Sequence, residues 1–535
     1  MSSLLKSARG MAVGTLASRA TGFLRTAVLA SVLGVESVAA AYNVANTTPN
    51  IVYELLLGGL LTSVVVPLLV RAAKQDGDGG EAYAQRLLTL TVLLLGGAVL
   101  VLVLAAPLLI DLYAGDLDPE SRELAITFAR YFLPQVLFYG AGAVLGAVLN
   151  TRGRFAPPMW VPVLNNLVVI ATGLAFLVLR GSDELTPASL TPGQIQLLGI
   201  GTTLGIVAQT VALLPSLRAA GFRPRLRLDL RGTGLARMGR LATWVLLYVV
   251  ANQLAYLVVV RLSTDQELVD AGRGYPSYVY AFVLWQLPHA IVAVSVITAL
   301  LPRMSRAAAD GRTADLRRSL NRGLRLTVAA LVPAAVAFGV LGRDLAVVAF
   351  ARGEVTVEQA RFIGVLLAVF AVGLVPFSTY QLQLRAFYAM QDTRTPTLVN
   401  LGVNATLVST DIALYLTLPD EYKLIGLAAG HATSFVVGLL VCSLVLSRRI
   451  GGLGAAGVVR TTVRCVVAAC LPALAAALVA AAVHRTLGDG PLGAAVALAT
   501  AGPVLILGYL LLARRMRVTE LSEVAGPVLR RLHLG

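Results

Sequence analysis

Charge is scarce in this chain of 535 residues: Asp, Glu, Lys and Arg together make up 13% of it, against 57% hydrophobic residues. Apolar runs of about 20 residues recur from end to end, and each is long enough to cross a bilayer. That excludes a soluble protein with a single anchor. The runs do not alternate apolar with polar residues, which argues against a membrane β-barrel. Cysteine is nearly absent. Cys442, Cys465 and Cys470 fall in late hydrophobic segments without metal-ligand spacing, so no metal cluster or disulfide framework is implied. The acidic residues are scattered among Pro and Gly in loops, without the clustered carboxylates or metal site of a membrane enzyme. The net charge of +16 sits in loops, where the positive-inside rule accounts for it without nucleic acid.

What is present is a succession of hydrophobic segments. Fourteen spans are predicted near 12–33, 37–70, 83–112, 123–149, 158–179, 196–217, 238–262, 275–301, 321–348, 359–390, 395–418, 423–447, 458–483 and 491–513. The fold class is therefore an all-α polytopic membrane protein. Lys6 and Arg9 precede the first apolar stretch as in a signal peptide, but Arg19 and Arg25 interrupt it, so it reads as an uncleaved first helix. Loop charge gives an orientation. Asp116, Asp118 and Glu120 mark one side, as do Asp183 and Glu184, and Asp265, Glu267 and Asp270. Arg218–Arg237, Arg303–Arg325, Arg448–Arg464 and Arg514–Arg517 mark the other. The alternation puts both termini in the cytoplasm. Two offsets point to an internal duplication. Pro67 with Arg71 and Pro302 with Arg306 stand 235 positions apart, and the turns before Pro158 and Pro396 stand 238 apart. A six-helix unit repeated in parallel gives an N-lobe at 1–217, a basic loop at 218–237, a C-lobe at 238–447, two further helices at 448–517 and a tail at 518–535.

Arg19 and Arg25 are the most informative residues. An arginine near the bilayer centre costs roughly 2.5–3.5 kcal/mol on insertion scales. At helical spacing Thr15, Ser18, Arg19, Gly22, Arg25 and Thr26 share a wedge about 120° wide. Asn43, Asn46, Thr47, Asn50, Tyr53 and Glu54 share another on the second helix, where Pro49 is expected to kink the chain. Two such faces predict a wet cavity in the N-terminal half. Arg25 then has two readings, an ion pair with Glu54 or a phosphate site, and guanidinium geometry suits the second. Arg19 is equally a residue snorkelling to the cytoplasmic face. Asp411 is a carboxylate at membrane depth, a candidate for Na⁺ or H⁺ or a structural hydrogen-bonding group. Arg130, Arg261 and Arg385 read as snorkelling residues near helix ends, His289 and His431 as structural histidines, and Tyr278, Tyr280, Trp285 and Gln286 as helix packing.

SRATGFLR (18–25), TPN (48–50), LLGGLLTSVVVPLL (56–69), GAVLNTRGRFAPPMWVPVLNN (146–166), LWQLPHAIVAVSVITALLPRMSR (284–306), NRGLRL (321–326) and AFYAMQDTRTP (386–396) together resemble the MurJ/MviN family, the bacterial lipid II flippases of the MOP exporter superfamily. The resemblance covers about 1–450. It implies two six-helix lobes in a V around a cationic cavity, with the last two helices forming a groove for the polyprenyl tail. The implied activity is movement of the undecaprenyl-diphosphate-linked peptidoglycan precursor, lipid II, to the outer leaflet of the bacterial cytoplasmic membrane by alternating access. The implied protein is a monomeric transporter without catalytic residues or cofactor, driven by membrane potential or an ion gradient with Na⁺ or H⁺ as the candidate ion, and with cell-wall synthesis proteins as candidate partners. Arg19 and Arg25 match the family's first-helix arginines. Other positions depart from the pattern: Thr26 and Ala40 stand where relatives often have Asp, and Tyr53, Glu54 and Val283 where they often have Arg. The predicted substrate site is thus Arg25, Arg19, Glu54, Asn46, Asn50 and Tyr53, with Asp411 as the candidate Na⁺ ligand. Beside this stand an exporter of drugs or another lipid-linked oligosaccharide, a membrane enzyme, and a non-transporting scaffold. Fourteen helices and the GAVLNTRGRF turn disfavour the first, the lack of clustered carboxylates the second, and intramembrane polarity the third.

Overall fold

A computed structural model describes residues 2–58, 66–181, 184–229 and 235–520, without the side chains of 2–12, 57–58, 66–67 and 235–242. Asp183, Arg231 and most of the tail at 518–535 lie outside the described residues, as do 59–65 of the second predicted span and the side chain of Pro67.

The described chain is helical throughout. In order the helices are α1 (Ser2–Leu33), α2 (Ser37–Tyr53), α3 (Val66–Gln75), α4 (Glu81–Leu104), α5 (Ala106–Ala114), α6 (Pro119–Phe132), α7 (Gln135–Thr151), α8 (Ala156–Arg180), α9 (Pro192–Val211), α10 (Leu214–Ala219), α11 (Leu235–Ser263), α12 (Gln266–Asp270) and α13 (Tyr275–Pro288). There follow α14 (Val294–Ala309), α15 (Thr313–Phe350), α16 (Val357–Ala389), α17 (Arg394–Thr417), α18 (Asp420–Arg449), α19 (Ala455–Leu487) and α20 (Pro491–Arg515). Among the described residues 12 helical stretches are long and apolar enough to cross a membrane. They coincide with the third to fourteenth predicted spans. Large apolar side chains such as Leu104 and Val178 stand more than 80% exposed, which is stable only where lipid covers them.

Helix starts follow local chemistry. Thr191 with Gln194, and Thr356 with Gln359, form capping boxes that satisfy the first amides of α9 and α16. Asp118 accepts from the amides of Glu120 and Ser121 ahead of Pro119, which opens α6.

Contacts divide the chain into two compact units, Met1–Pro276 and Ser277–Gly535. The first includes α11, which touches α5. There Arg261 donates to the Asp111 carbonyl at 2.8 Å and pairs with Asp116 at 2.7 Å. Arg261 thus reaches the loop at its helix end, as expected of a snorkelling residue, and finds there a carboxylate 145 positions away.

Each unit contains one π-helical turn among its described residues: Glu54–Gly58 continues α2, and His289–Ala293 joins α13 to α14. They stand 235 positions apart, the offset seen at Pro67 and Pro302. The second offset recurs too. Gly153 and Gln391, 238 positions apart, both have positive φ, 73° and 59°, in the turns leading to α8 and α17. In α2 the winding changes to the π-turn at Glu54, and Pro49 lies inside the α-helix before it.

Candidate functional site

The polar face of α1 is divided between two surroundings. On one edge α8 packs against it: Asn166 donates to the Ser18 carbonyl at 3.2 Å and to the Thr21 hydroxyl at 3.0 Å. Thr26 is buried and bonds back to the Gly22 carbonyl. The wedge is therefore not open along its whole width as the helical spacing predicted. Its two arginines are the part without protein partners. Arg19 is exposed and Arg25 half-buried. Among the described residues neither makes an ion pair or a side-chain hydrogen bond. In particular Arg25 does not pair with Glu54. Arg25 does lie close enough to act electrostatically on the hydroxyls of Tyr42 and Tyr139.

On α2 the polar face divides similarly. Tyr42 is buried, hydrogen-bonded to Thr202 at 2.7 Å and packed edge-on against Phe128 and Phe132. Asn43 bonds back to the Ala39 carbonyl. Thr47 joins a hydroxyl chain through Tyr275 (3.1 Å) to Tyr256 (2.5 Å). Asn46 and Tyr53 are half-buried, Asn50 and Glu54 exposed. These last four make no side-chain hydrogen bond among the described residues.

Behind Tyr53 lies a cavity of about 380 Å³ walled by α7, α8 and α9 as well as α2. Tyr53, Phe138, Tyr139, Asn150, Pro158, Gln209 and Thr210 are on its wall, with Gly142, Ala143, Gly146 and Ala147 presenting a flat strip of small residues. Tyr53 and Tyr139 meet with ring centroids 5.7 Å apart. The wet cavity expected from the sequence lay between the polar faces of α1 and α2; this one is a different place, lined by Tyr53 alone of those residues and by neither arginine. Tyr139, Asn150, Gln209 and Thr210 were missed. Tyr139 and Asn150 lie on α7 and Gln209 and Thr210 on α9, and only the packing of the two helices beside α2 brings them together.

In the second unit Asp411 is fully buried, and neither carboxylate oxygen has a hydrogen-bond partner. It faces Gly430 of α18, where any side chain would collide with it. No group of three or more His, Cys, Asp or Glu that could hold a metal occurs among the described residues. Tyr278, Tyr280 and Trp285 are buried as packing, as expected. His289 shares a hydrogen bond with Ser378 at 2.9 Å, and His431 sits among Phe282, Trp285, Phe370 and Phe435.

With this geometry in hand, comparison with known proteins is decisive. The family model described as "Lipid II flippase MurJ" matches residues 29–523. The chain belongs to the MurJ family. A probable lipid II flippase MurJ of Rhizobium meliloti is 28% identical over 459 residues, covering 83% of this chain and 80% of the relative. The lipid II flippase MurJ of Burkholderia cenocepacia is 28% identical over 440 residues, covering 81% of each. Among solved structures, a lipid II flippase MurJ in an inward closed conformation superposes with a TM-score of 0.74 at 19% identity, covering 95% of this chain and 98% of that one. A multidrug resistance MATE transporter of the MOP superfamily, inward-facing, superposes at 0.66 with 16% identity, covering 83% of this chain and 99% of that one. At such identities these two establish a shared fold. As a MurJ-family member the chain is a multi-pass protein of the bacterial inner membrane and a transporter, not an enzyme.

Proposed function

We propose that this chain flips lipid II, the undecaprenyl-diphosphate-linked disaccharide-peptide, from the inner to the outer leaflet. The observation that carries the reading is the family match across residues 29–523. The MATE likeness rests on fold alone and favours no drug substrate.

The proposed mechanism is binding and motion, with no covalent chemistry. Arg25 engages the diphosphate, because a half-buried guanidinium without a protein partner gains most from an anion. Arg19, exposed toward one end of the same helix, takes part as the headgroup enters. Asn46, Asn50 and Tyr53 offer neutral hydrogen bonds, and Glu54 repels the diphosphate from the π-turn and steers it to Arg25. Headgroup binding then favours closure on the cytoplasmic side and opening outward. The architecture that supports this is fourteen spans, α1 and α2 being the two beyond those identified by hydropathy, with both termini cytoplasmic. Two six-helix lobes form a parallel repeat, for which the recurrence of the π-turns at the 235 offset speaks. α19 and α20 hold the polyprenyl tail, and the protein acts as a monomer. Asp411 takes up the coupling H⁺ or Na⁺, since two buried oxygens without donors fit a carboxylate neutralised by a bound cation or proton.

The test is lipid II accessibility at the outer leaflet after acute depletion of the host flippase. Expression of this chain should restore it. Accessibility that stays lost, with the protein present in the membrane, refutes the reading.

A further inference from the structure

One face of α4 is apolar and exposed along most of its length and covered at its start. At helical spacing Gln85, Thr89, Leu93, Leu100 and Leu104 share a wedge about 100° wide. Leu93, Leu100 and Leu104 are exposed, so this face meets the hydrocarbon of the bilayer. Gln85 and Thr89 are buried instead. What covers them is a strap, residues 222–229, that follows α10. The Gln85 Nε2 atom donates to the Arg223 carbonyl at 2.9 Å, and the Arg227 amide donates to the Thr89 hydroxyl at 2.7 Å. Arg86 pairs with Asp229 at 3.0 Å. Where the strap begins, the Arg152 guanidinium lies over the Phe222 ring, 5.2 Å from its centroid. The strap is thus pinned to α4, and its bond to Thr89 is one helical turn, about 6 Å, from the lipid-facing Leu93.

The strap's outward groups are of two kinds. Leu226 and Leu228 are 71% and 79% exposed. Arg223, Arg225 and Arg227 are exposed as well, and among the described residues none of their side chains has an ion pair or hydrogen bond. The strap's own carboxylate, Asp229, is taken by Arg86. Bare leucines interleaved with unpaired arginines, beside the start of a lipid-facing stripe, match the boundary between acyl chains and headgroups. There a leucine leaves water and a guanidinium binds phosphate oxygens in pairs. An acidic protein would answer the arginines, but at this depth the neighbour is bilayer. We propose that the strap is a binding site for anionic phospholipids, with Arg223, Arg225 and Arg227 on the phosphates and Leu226 and Leu228 among the first methylenes of the chains. Each arginine near an anionic surface adds roughly fivefold to binding. The site uses no residue of α1 or α2, so it stands or falls apart from the flippase reading.

The test reads the strap itself. Cys442 and Cys465 are buried and Cys470 exposed, so Leu228→Cys in a Cys470→Ser background takes a bimane label at the strap. The labelled full-length protein is reconstituted in vesicles of equal phosphatidylglycerol and phosphatidylcholine, with bromine on the acyl chains of one lipid or the other. Quenching by brominated phosphatidylglycerol should exceed quenching by brominated phosphatidylcholine several-fold. Arg223→Gln, Arg225→Gln and Arg227→Gln together should bring the ratio to about one while both lipids still quench. The corresponding triple Arg→Lys variant should keep most of the preference. Equal quenching by the two lipids before the arginines are changed overturns the proposal, as does a preference that survives the triple Gln variant. Quenching by neither lipid, the result expected if a soluble protein uses this surface, overturns it too. A preference abolished by inorganic phosphate, but not by chloride at equal ionic strength, would assign the arginines to a free anion and likewise overturn the lipid site.

Discussion

The two π-turns stand at matching positions of their units and are surrounded by opposite chemistry. In the first unit the turn begins at Glu54 and follows Asn46, Asn50 and Tyr53, which have no protein hydrogen-bond partners among the described residues. In the second it begins at His289, which is satisfied by Ser378 and follows Phe282 and Trp285 in a cluster of rings. A π-turn inserts an extra residue and opens the helix locally, a device often found at functional sites. The backbone feature is shared, but the surroundings differ. In the second unit aromatic packing occupies the neighbourhood, with the Trp285 Nε1 and His431 Nε2 atoms buried in it without partners among the described residues, and the fully buried Asp411 carboxylate stands apart. Under the proposed function, recognition falls to the first unit and coupling to the second.

This division can be broken in several ways. The largest effect is expected at Trp285, fully buried in the ring cluster. Trp285→Ala should cost about 3–5 kcal/mol of stability, read as a marked fall in thermal midpoint, while the protein that remains folded still binds diphosphate lipid. Loss of binding without loss of stability would move recognition into the second unit. Next is Asp411→Asn, which keeps the shape and removes the titration. Transport in vesicles should lose its dependence on the imposed ion gradient while lipid binding persists, and an unaltered gradient dependence would remove Asp411 from coupling. A smaller effect is expected at the paired turns. Gln391 holds a positive φ of 59° where its counterpart is Gly153. A left-handed conformation costs an ordinary residue roughly 1–2 kcal/mol, so Gln391→Gly should raise the thermal midpoint by a few degrees and Gly153→Ala should lower it.

The smallest effect concerns pH. Asp392 lies in the turn between α16 and α17. Burial acts to raise its pKa, but hydrogen bonds from the Thr395 hydroxyl (2.6 Å) and amide (3.0 Å), with Arg449 at 3.7 Å, hold it below the ordinary carboxylate value. Its contribution is thus fully present above the unfolded pKa of about 3.9 and is lost as pH falls through the lower folded value. Asp392→Asn should reduce the thermal midpoint equally at pH 5 and pH 8, and the gap from wild type should close only in stronger acid. A gap that changes between pH 5 and pH 8 would show that another group governs the turn.

Most of the helix framework was legible because run length alone reports a membrane span, and positions 83–513 needed little else. Two proline-containing turns carried the 235 and 238 offsets in the sequence, whereas the π-turns that share the first offset have no signature in side-chain periodicity. The polar faces of α1 and α2 were legible as wedges, but not which part of each is covered. Nothing local says that Asn166, some 145 positions from Thr21, closes one edge of α1. The cavity was hidden for the same reason: Asn150 and Gln209 come from α7 and α9, and they meet Tyr53 of α2 only through the packing. The partner of Arg261, Asp116, was not legible because it lies on a distant loop.

The central claim is that the first unit's unpartnered arginine holds the diphosphate. It is tested most directly by the affinity of the purified protein for undecaprenyl diphosphate, measured for the wild type, Arg25→Ala and Trp285→Ala at equal folded concentration. The account predicts a loss of at least tenfold for Arg25→Ala, from a charge-assisted contact of about 1.5–3 kcal/mol, and little change for Trp285→Ala. Unchanged affinity in Arg25→Ala, with the loss appearing in Trp285→Ala instead, would contradict it.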